Sequence, residues 1–295
     1  MANFEITFNI NGNGITNPSH VTENFFDLTF NESNQSPIDN FLEKIDEFNI
    51  LIGHLCNPST LLSEKIKITN YNLILLGQIS CVESYIREIF RKLILIDKHS
   101  FSACSSLMLT FTAANNYEKE ILPEALMELY SFASKKNITE ALKNLLDIKG
   151  NLTINLENIL IEFEKICQLR HCMIHRFGKL GSNNALKLGI EKHIECLEKP
   201  LSLNDTYLFD TYNTCRNVGL VLNNYLFKKI MNRTVEEDYW SWNFNKDKKL
   251  FTKYYDIFQS LAHPDNPMLT KKNYYDNFRN EKKQFELSNR RKKNV

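Results

Sequence analysis

The chain has no CxxC pair, no long apolar run and almost no net charge, and each lack removes a class of function. Its seven cysteines are an odd number, scattered through apolar stretches such as Ile79-Ser80-Cys81-Val82. That usage fits reduced, mostly buried thiols in a cytoplasm and speaks against a disulfide framework. No apolar segment reaches the roughly 18 residues that a membrane-crossing helix needs. The amino terminus, Met1-Ala2-Asn3-Phe4-Glu5, lacks the basic start and apolar run of a signal peptide. A cytoplasmic protein with no membrane partner is therefore expected. Asn-X-Ser/Thr triplets such as Asn151-Leu152-Thr153 carry no weight without secretion. With a net charge of +1 the molecule as a whole does not attract nucleic acid, so any basic patch must be local. No internal repeat marks a solenoid or array.

What remains is an ordinary globular composition, 43% hydrophobic and 24% charged over 295 residues, enough for one large or two modest domains. Residues 1–35 form a segment of their own. Phe4-Glu5-Ile6-Thr7-Phe8-Asn9-Ile10 and Phe26-Asp27-Leu28-Thr29-Phe30 alternate apolar and polar at period two, which predicts a pair of half-buried strands. Asn11-Gly12-Asn13-Gly14 between them is a turn signal. It is not a phosphate loop, because no Lys-Ser/Thr follows and no helix opens there.

From Ser36 the pattern is helical. Ser36-Pro37 serves as N-cap and first turn, and Phe41, Leu42, Ile45, Phe48, Leu51 and Ile52 recur at three- and four-residue spacing up to the break at Asn57-Pro58. Further helices are expected from about Asn70 to Leu95 and near 117–134, 138–148, 155–177 and 205–231. Residues 36–235 thus read as a helical bundle. Residues 236–295 form an aromatic and basic helical extension, with both tryptophans (Trp240, Trp242) and, from Lys271 to Lys293, a net charge of +6. That tail is either a solvated terminal helix or a grip on a phosphate backbone with aromatics interleaved. The fold class is mainly α.

Chemistry concentrates at Arg170-His171-Cys172-Met173-Ile174-His175-Arg176-Phe177-Gly178, with two arginines and two histidines in seven residues. Such residues can hold a phosphate and move a proton near neutral pH. At about 100° per residue, Ile159, Phe163, Ile166, Leu169, Met173, Ile174 and Phe177 share one apolar arc. Glu164, Gln168, His171 and His175 form a polar stripe beside it, and Gly178 stands where a C-terminal cap belongs. Arg170 falls inside the apolar arc, where a guanidinium must find a partner. The earlier helix shows the complementary anomaly. Leu75, Ile79, Val82, Ile86, Ile89, Phe90 and Leu93 define its apolar arc, and Glu83 projects within it. One shared place for Glu83 and Arg170 resolves both, either as a structural ion pair or as the floor of a site.

The spacing of His171 and His175 can chelate a metal. Cys172-Met173-Ile174 between them is not the Glu-X-X of a zincin, and His193 and Cys196 lie beyond a loop, so no metal is expected. Cys167 and Cys172 read as packing residues rather than nucleophiles.

Arginine, four residues, then histidine on a late helix of a bundle resembles the HEPN superfamily. The fuller string Arg170 to Gly178 looks like the version in its RiboL-PSP-HEPN branch, with His171 at the polar position after the arginine. Val82-Glu83-Ser84-Tyr85-Ile86-Arg87-Glu88-Ile89-Phe90 is similar to a segment of the first long helix in that superfamily. The resemblance implies a metal-independent endoribonuclease without a cofactor, a toxin or antiviral-defence effector, with RNA as substrate and an antitoxin or sensor as a possible partner. It implies a homodimer whose two Arg-His motifs share a cleft; in one ideal helix Arg170 and His175 diverge by about 140°. It implies attack of a ribose 2′-hydroxyl on the adjacent phosphodiester, leaving 2′,3′-cyclic phosphate and 5′-hydroxyl ends. His175 would serve as general base or acid, Arg170 would stabilise the phosphate charge, His171 would carry a second proton or touch the phosphate, and Glu83 would orient Arg170. Arg176 and Lys179 would contact flanking RNA. The alternative is a module of the same fold without nuclease activity that binds RNA or nucleotide, or another protein.

Overall fold

The computed structural model describes residues 10–12, 14, 22–57, 59 and 61–293, the last five as backbone only. It divides the chain into two units, Met1–Asn34 and Gln35–Val295.

In the first unit the expected strand Phe4–Ile10 lies, apart from Ile10, outside the described residues. The second expected strand, Phe26–Phe30, is instead a turn. A 3-10 turn at Thr22–Phe25 leads into it, and the Asp27 carboxylate accepts both the Thr29 N–H (2.9 Å) and the Thr29 hydroxyl (2.6 Å). An aspartate that bonds its own backbone two residues on bends the chain that alternation alone would extend. Phe26, Leu28 and Phe30 are all exposed, so the alternation serves no buried face.

The second unit is helical throughout. In chain order its helices are α1 (Pro37–Cys56), α2 (Glu64–Ile96), α3 (Lys98–Cys104), α4 (Phe111–Asn116), α5 (Leu122–Met127), α6 (Lys135–Leu146) and α7 (Ile154–Arg176), then α8 (Ser182–Leu188), α9 (Ile190–His193), α10 (Asp205–Glu236), α11 (Phe244–Phe258) and α12 (Lys271–Lys293). Side-chain caps start the long ones: Ser36 for α1, Ser63 for α2, Thr153 for α7 and Asn204 for α10 each accept a backbone N–H from the first turn.

Four long helices make the bundle: α1 packs on α2 and α10, and α7 packs on α10 and α2. The apolar arc expected of α2 is the buried one, Leu75 to Leu93. Two glycines let α1 approach closely. A Cβ at Gly77 of α2 would stand 2.2 Å from the Phe48 ring, and one at Gly219 of α10 would stand 2.2 Å from the Phe41 ring. The rings of α1 therefore sit in notches that a methyl group would fill. The buried Asp97, between α2 and α3, accepts from Arg233 of α10 at 2.7 Å and from Ser100 at 2.8 and 2.6 Å. The same guanidinium also donates to the Leu146 carbonyl.

The aromatic residues after 236 join this core rather than forming one of their own. Trp240 lies among Phe251, Tyr254, Tyr275 and Phe278, with its indole N–H on the Thr234 hydroxyl at 2.8 Å. The helix expected over 117–134 shrinks to α5. The reason is visible on α2: Arg87 takes the Met127 and Tyr130 carbonyls at 2.6 and 2.5 Å, acceptors that a continuing helix would need. No helix among the described residues is long and apolar enough to cross a membrane.

Candidate active site

The site is built on the second half of α7, where α2 flanks it on one side and the short α8 on the other. Leu156, Leu160, Phe163 and Cys167 fix the rotation of α7 by facing the core, and Cys172 is buried with Leu180 and Ala185 of the segment that follows. Burial pushes the Cys167 thiol far above its ordinary range and raises that of Cys172 as well. Both stay protonated and neither is a nucleophile in waiting.

That rotation brings Arg170 to Glu83 across the α2–α7 contact, with Arg170 Nη2 at 3.5 Å from Glu83 Oε2. The other carboxylate oxygen, Oε1, accepts the Phe132 N–H at 3.2 Å. Side-chain exposures of 25% for Arg170 and 17% for Glu83 make this a half-buried pair. The other well-placed arginines are committed. Arg87 holds two carbonyls and covers the Phe132 ring, while Arg233 holds Asp97 and two carbonyls. Arg170 meets one oxygen, and among the described residues no other acceptor meets it. A guanidinium has five N–H donors in a fixed fork, so most of this fork is open to an anion.

His171 and His175 follow on the same helix, their rings stacked with centroids 5.7 Å apart. His171 is half-buried and His175 exposed. Burial holds the His171 imidazole below its ordinary value of 6.5. The charges of Arg170, Lys187 and His175 add to that effect, and Glu164 opposes it. A neutral imidazole beside three potential cations is a proton acceptor in a field that favours a bound anion. Among the described residues no group of three histidines, cysteines or acids converges as a metal site would require.

Two expectations for α7 are corrected. Ile174 and Phe177, assigned to the apolar arc, are 49% and 90% exposed. The last turn of α7 carries no fully buried apolar side chain beyond Cys172; Met173 stays half-buried against the core, whereas Ile174 and Phe177 face outward. α7 ends at Arg176, two residues before the glycine, and Gly178 stands just past the cap residue Phe177, where a capping glycine belongs. Phe177 (φ 51°) and Gly178 (φ 91°) are both left-handed, and the Gly178 N–H closes on the Cys172 carbonyl at 3.0 Å. Gln168, assigned to the polar stripe, is buried. It donates to Glu164 at 2.7 Å and accepts from Asn184 of α8 at 3.0 Å.

Arg176 and Lys179 lie just past this centre. Arg176 Nη2 reaches both Glu198 oxygens at 2.7 Å, an exposed pair that an incoming phosphate would have to displace. Lys179 is exposed and pairs through its backbone with Pro200. The Leu180 and Leu201 N–H groups bond to the Lys199 and Gly178 carbonyls at 3.0 Å, which clasps the base of the segment carrying α8 and α9. Lys187, brought to the site by α8, carries no linear signal, standing seventeen residues after Arg170 and outside its helix. Against known proteins, no family model, no curated protein and no solved structure matches this chain.

Proposed function

We propose that this chain is a metal-independent endoribonuclease, and that Arg170, His171 and His175 perform the cleavage. The observation that carries the reading is the half-committed guanidinium of Arg170, held by one oxygen of Glu83 and followed on the same helix by two stacked imidazoles. In this reading the open donors of Arg170 bind the scissile phosphate and stabilise the extra negative charge of the phosphorane-like transition state. His171, kept neutral by its surroundings, accepts the proton of the attacking 2′-hydroxyl. The 2′-oxygen forms the new bond to phosphorus, the P–O5′ bond breaks, and His175 delivers a proton to the departing 5′-oxygen. The products are a 2′,3′-cyclic phosphate and a 5′-hydroxyl. Glu83 is a positioning residue, orienting Arg170 from below.

The reading includes the HEPN-type bundle and a homodimer. A second copy would supply the imidazole that the 140° divergence of about five residues on one helix keeps from Arg170. It also includes a cytoplasmic role as a growth-arresting or antiviral-defence effector. A non-catalytic binding module is favoured by one observation: among the described residues neither imidazole is hydrogen-bonded to a group that would orient it.

Labelled single-stranded RNA incubated with the full chain in EDTA tests the proposal. Cleavage with cyclic-phosphate ends is expected, lost in Arg170→Ala and His175→Ala. A substrate with sulfur at the bridging 5′ position, which needs no protonation to leave, should restore cleavage to His175→Ala and not to His171→Ala. Mixing Arg170→Ala with His175→Ala chains should regain part of the activity if the cleft is shared. Intact RNA under all conditions, with binding retained, would establish the module instead.

A further inference from the structure

α8 is fastened to α7 at one register. The Asn184 amide donates to Gln168 Oε1 at 3.0 Å and to the Gln168 carbonyl at 3.4 Å. Beside it Ala185 is buried against Cys172 and Leu180. Lys187 follows Asn184 by three residues, and side chains three apart share one edge of a helix. The lysine therefore stands on the α8 edge that is bonded to α7, and its charge is felt at His171. Among the described residues it has no acid within ion-pair reach.

The nearby acids are already engaged. Glu83 serves Arg170 and the Phe132 N–H. Glu164 serves the Lys135 N–H at 2.8 Å and Gln168 at 2.7 Å. Arg170 and Lys187 thus flank His171 from two different helices with their positive charge only partly balanced. Two cations beside one imidazole repel it and each other, a cost that a bound anion would relieve. Lys187 is exposed, so it is free to move onto a ligand.

We propose that Lys187 is a substrate-binding residue: its ammonium holds the phosphate next to the one gripped by Arg170, so the site takes an oligonucleotide with consecutive phosphates in preference to a single phosphodiester. The inference rests on the RNA reading above and names the class of substrate for that site. Lysine suits the task, being a compact point charge on a long stem that can follow a flexible backbone.

The probe is an all-2′-O-methyl RNA oligomer, which has the phosphates but lacks the attacking hydroxyl. Its binding to the full chain is measured against salt for wild type, Lys187→Gln and Lys187→Arg, with melting curves to confirm folding. Lys187→Gln should weaken binding about tenfold, the scale of one charge-assisted contact, and should reduce the salt slope by about 0.7, one single-strand phosphate. In cleavage, Lys187→Gln should raise KM with kcat little changed, Lys187→Arg should recover most of the loss, and a dinucleotide with one phosphate should not distinguish the three proteins. Wild-type affinity and slope in Lys187→Gln overturn the inference while leaving the nuclease reading intact. Lysine-dependent binding without any cleavage overturns the nuclease reading and keeps the phosphate contact. A wild-type chain that neither binds nor cleaves overturns both.

Discussion

Replacing Glu83 with glutamine removes the charge that meets Arg170 and keeps the shape. The glutamine oxygen can still accept the Phe132 N–H, so the loop bond survives at neutral strength, while the new amide N–H group confronts guanidinium donors with nothing to offer. Exposed ion pairs are worth about 0–1 kcal/mol, and breaking a buried one costs about 3–5 kcal/mol. With 17% and 25% of the two side chains exposed, this pair falls between, at about 1–3 kcal/mol. For a unit of this size that is a drop of about 4–8 °C in Tm at the middle of the range. Thermal unfolding of wild type, Glu83→Gln, Arg170→Met and the double variant measures it as a cycle. The double variant should be more stable than the sum of the singles predicts, by about 1–2 kcal/mol, because the second change removes a charge that the first left alone. Strict additivity, with Glu83→Gln melting like wild type, would show that the pair does not exist in solution and that Glu83 orients nothing.

Other consequences can be checked separately. Gly219→Ala places a methyl 2.2 Å from the Phe41 ring. Overpacking of about 1–3 kcal/mol should outweigh the gain of about 1 kcal/mol in helix propensity, seen as a lower urea midpoint. Asp97→Ala leaves Arg233 without its partner in a buried setting and should cost about 3–5 kcal/mol by the same measurement. The His171 imidazole is held below 6.5, so the native state binds its proton more weakly than the unfolded chain does. Its contribution is neutral above about pH 6.5 and turns destabilising as pH falls below that value toward the folded pKa. Urea midpoints between pH 7.5 and 5 should therefore fall more steeply for wild type than for His171→Gln.

Periodicity made the bundle legible because three- and four-residue spacing records which face of a helix is buried. The α2 arc from Leu75 to Leu93 is the buried face, and the two misfit charges, Glu83 and Arg170, lie together. It did not reveal where a neighbour stops. Ile174 and Phe177 continue the apolar rhythm of α7 past the last buried residue, Cys172, and so stand in solvent. Nor did it reveal what a short helix covers: Gln168 is buried by tertiary placement under Asn184, a partner sixteen residues on. At Phe26–Phe30 the Asp27 carboxylate claims the Thr29 donors, and after α5 Arg87 claims the Met127 and Tyr130 carbonyls; a period count does not register such competition. Lys187 was the least legible of all, since its place depends on how α8 docks.

Glu83 has two dependants, the guanidinium of Arg170 and the backbone N–H of Phe132. One turn further along α2, Arg87 holds the same stretch of chain through Met127 and Tyr130. The carboxylate is thus a junction at which two parts of the molecule draw on one charge. An anion that attracts Arg170 leaves more of that charge for the Phe132 amide and tightens the segment between α5 and α6. Linkage is reciprocal: whatever pulls that segment away must alter the grip of Arg170 on an anion by the same factor.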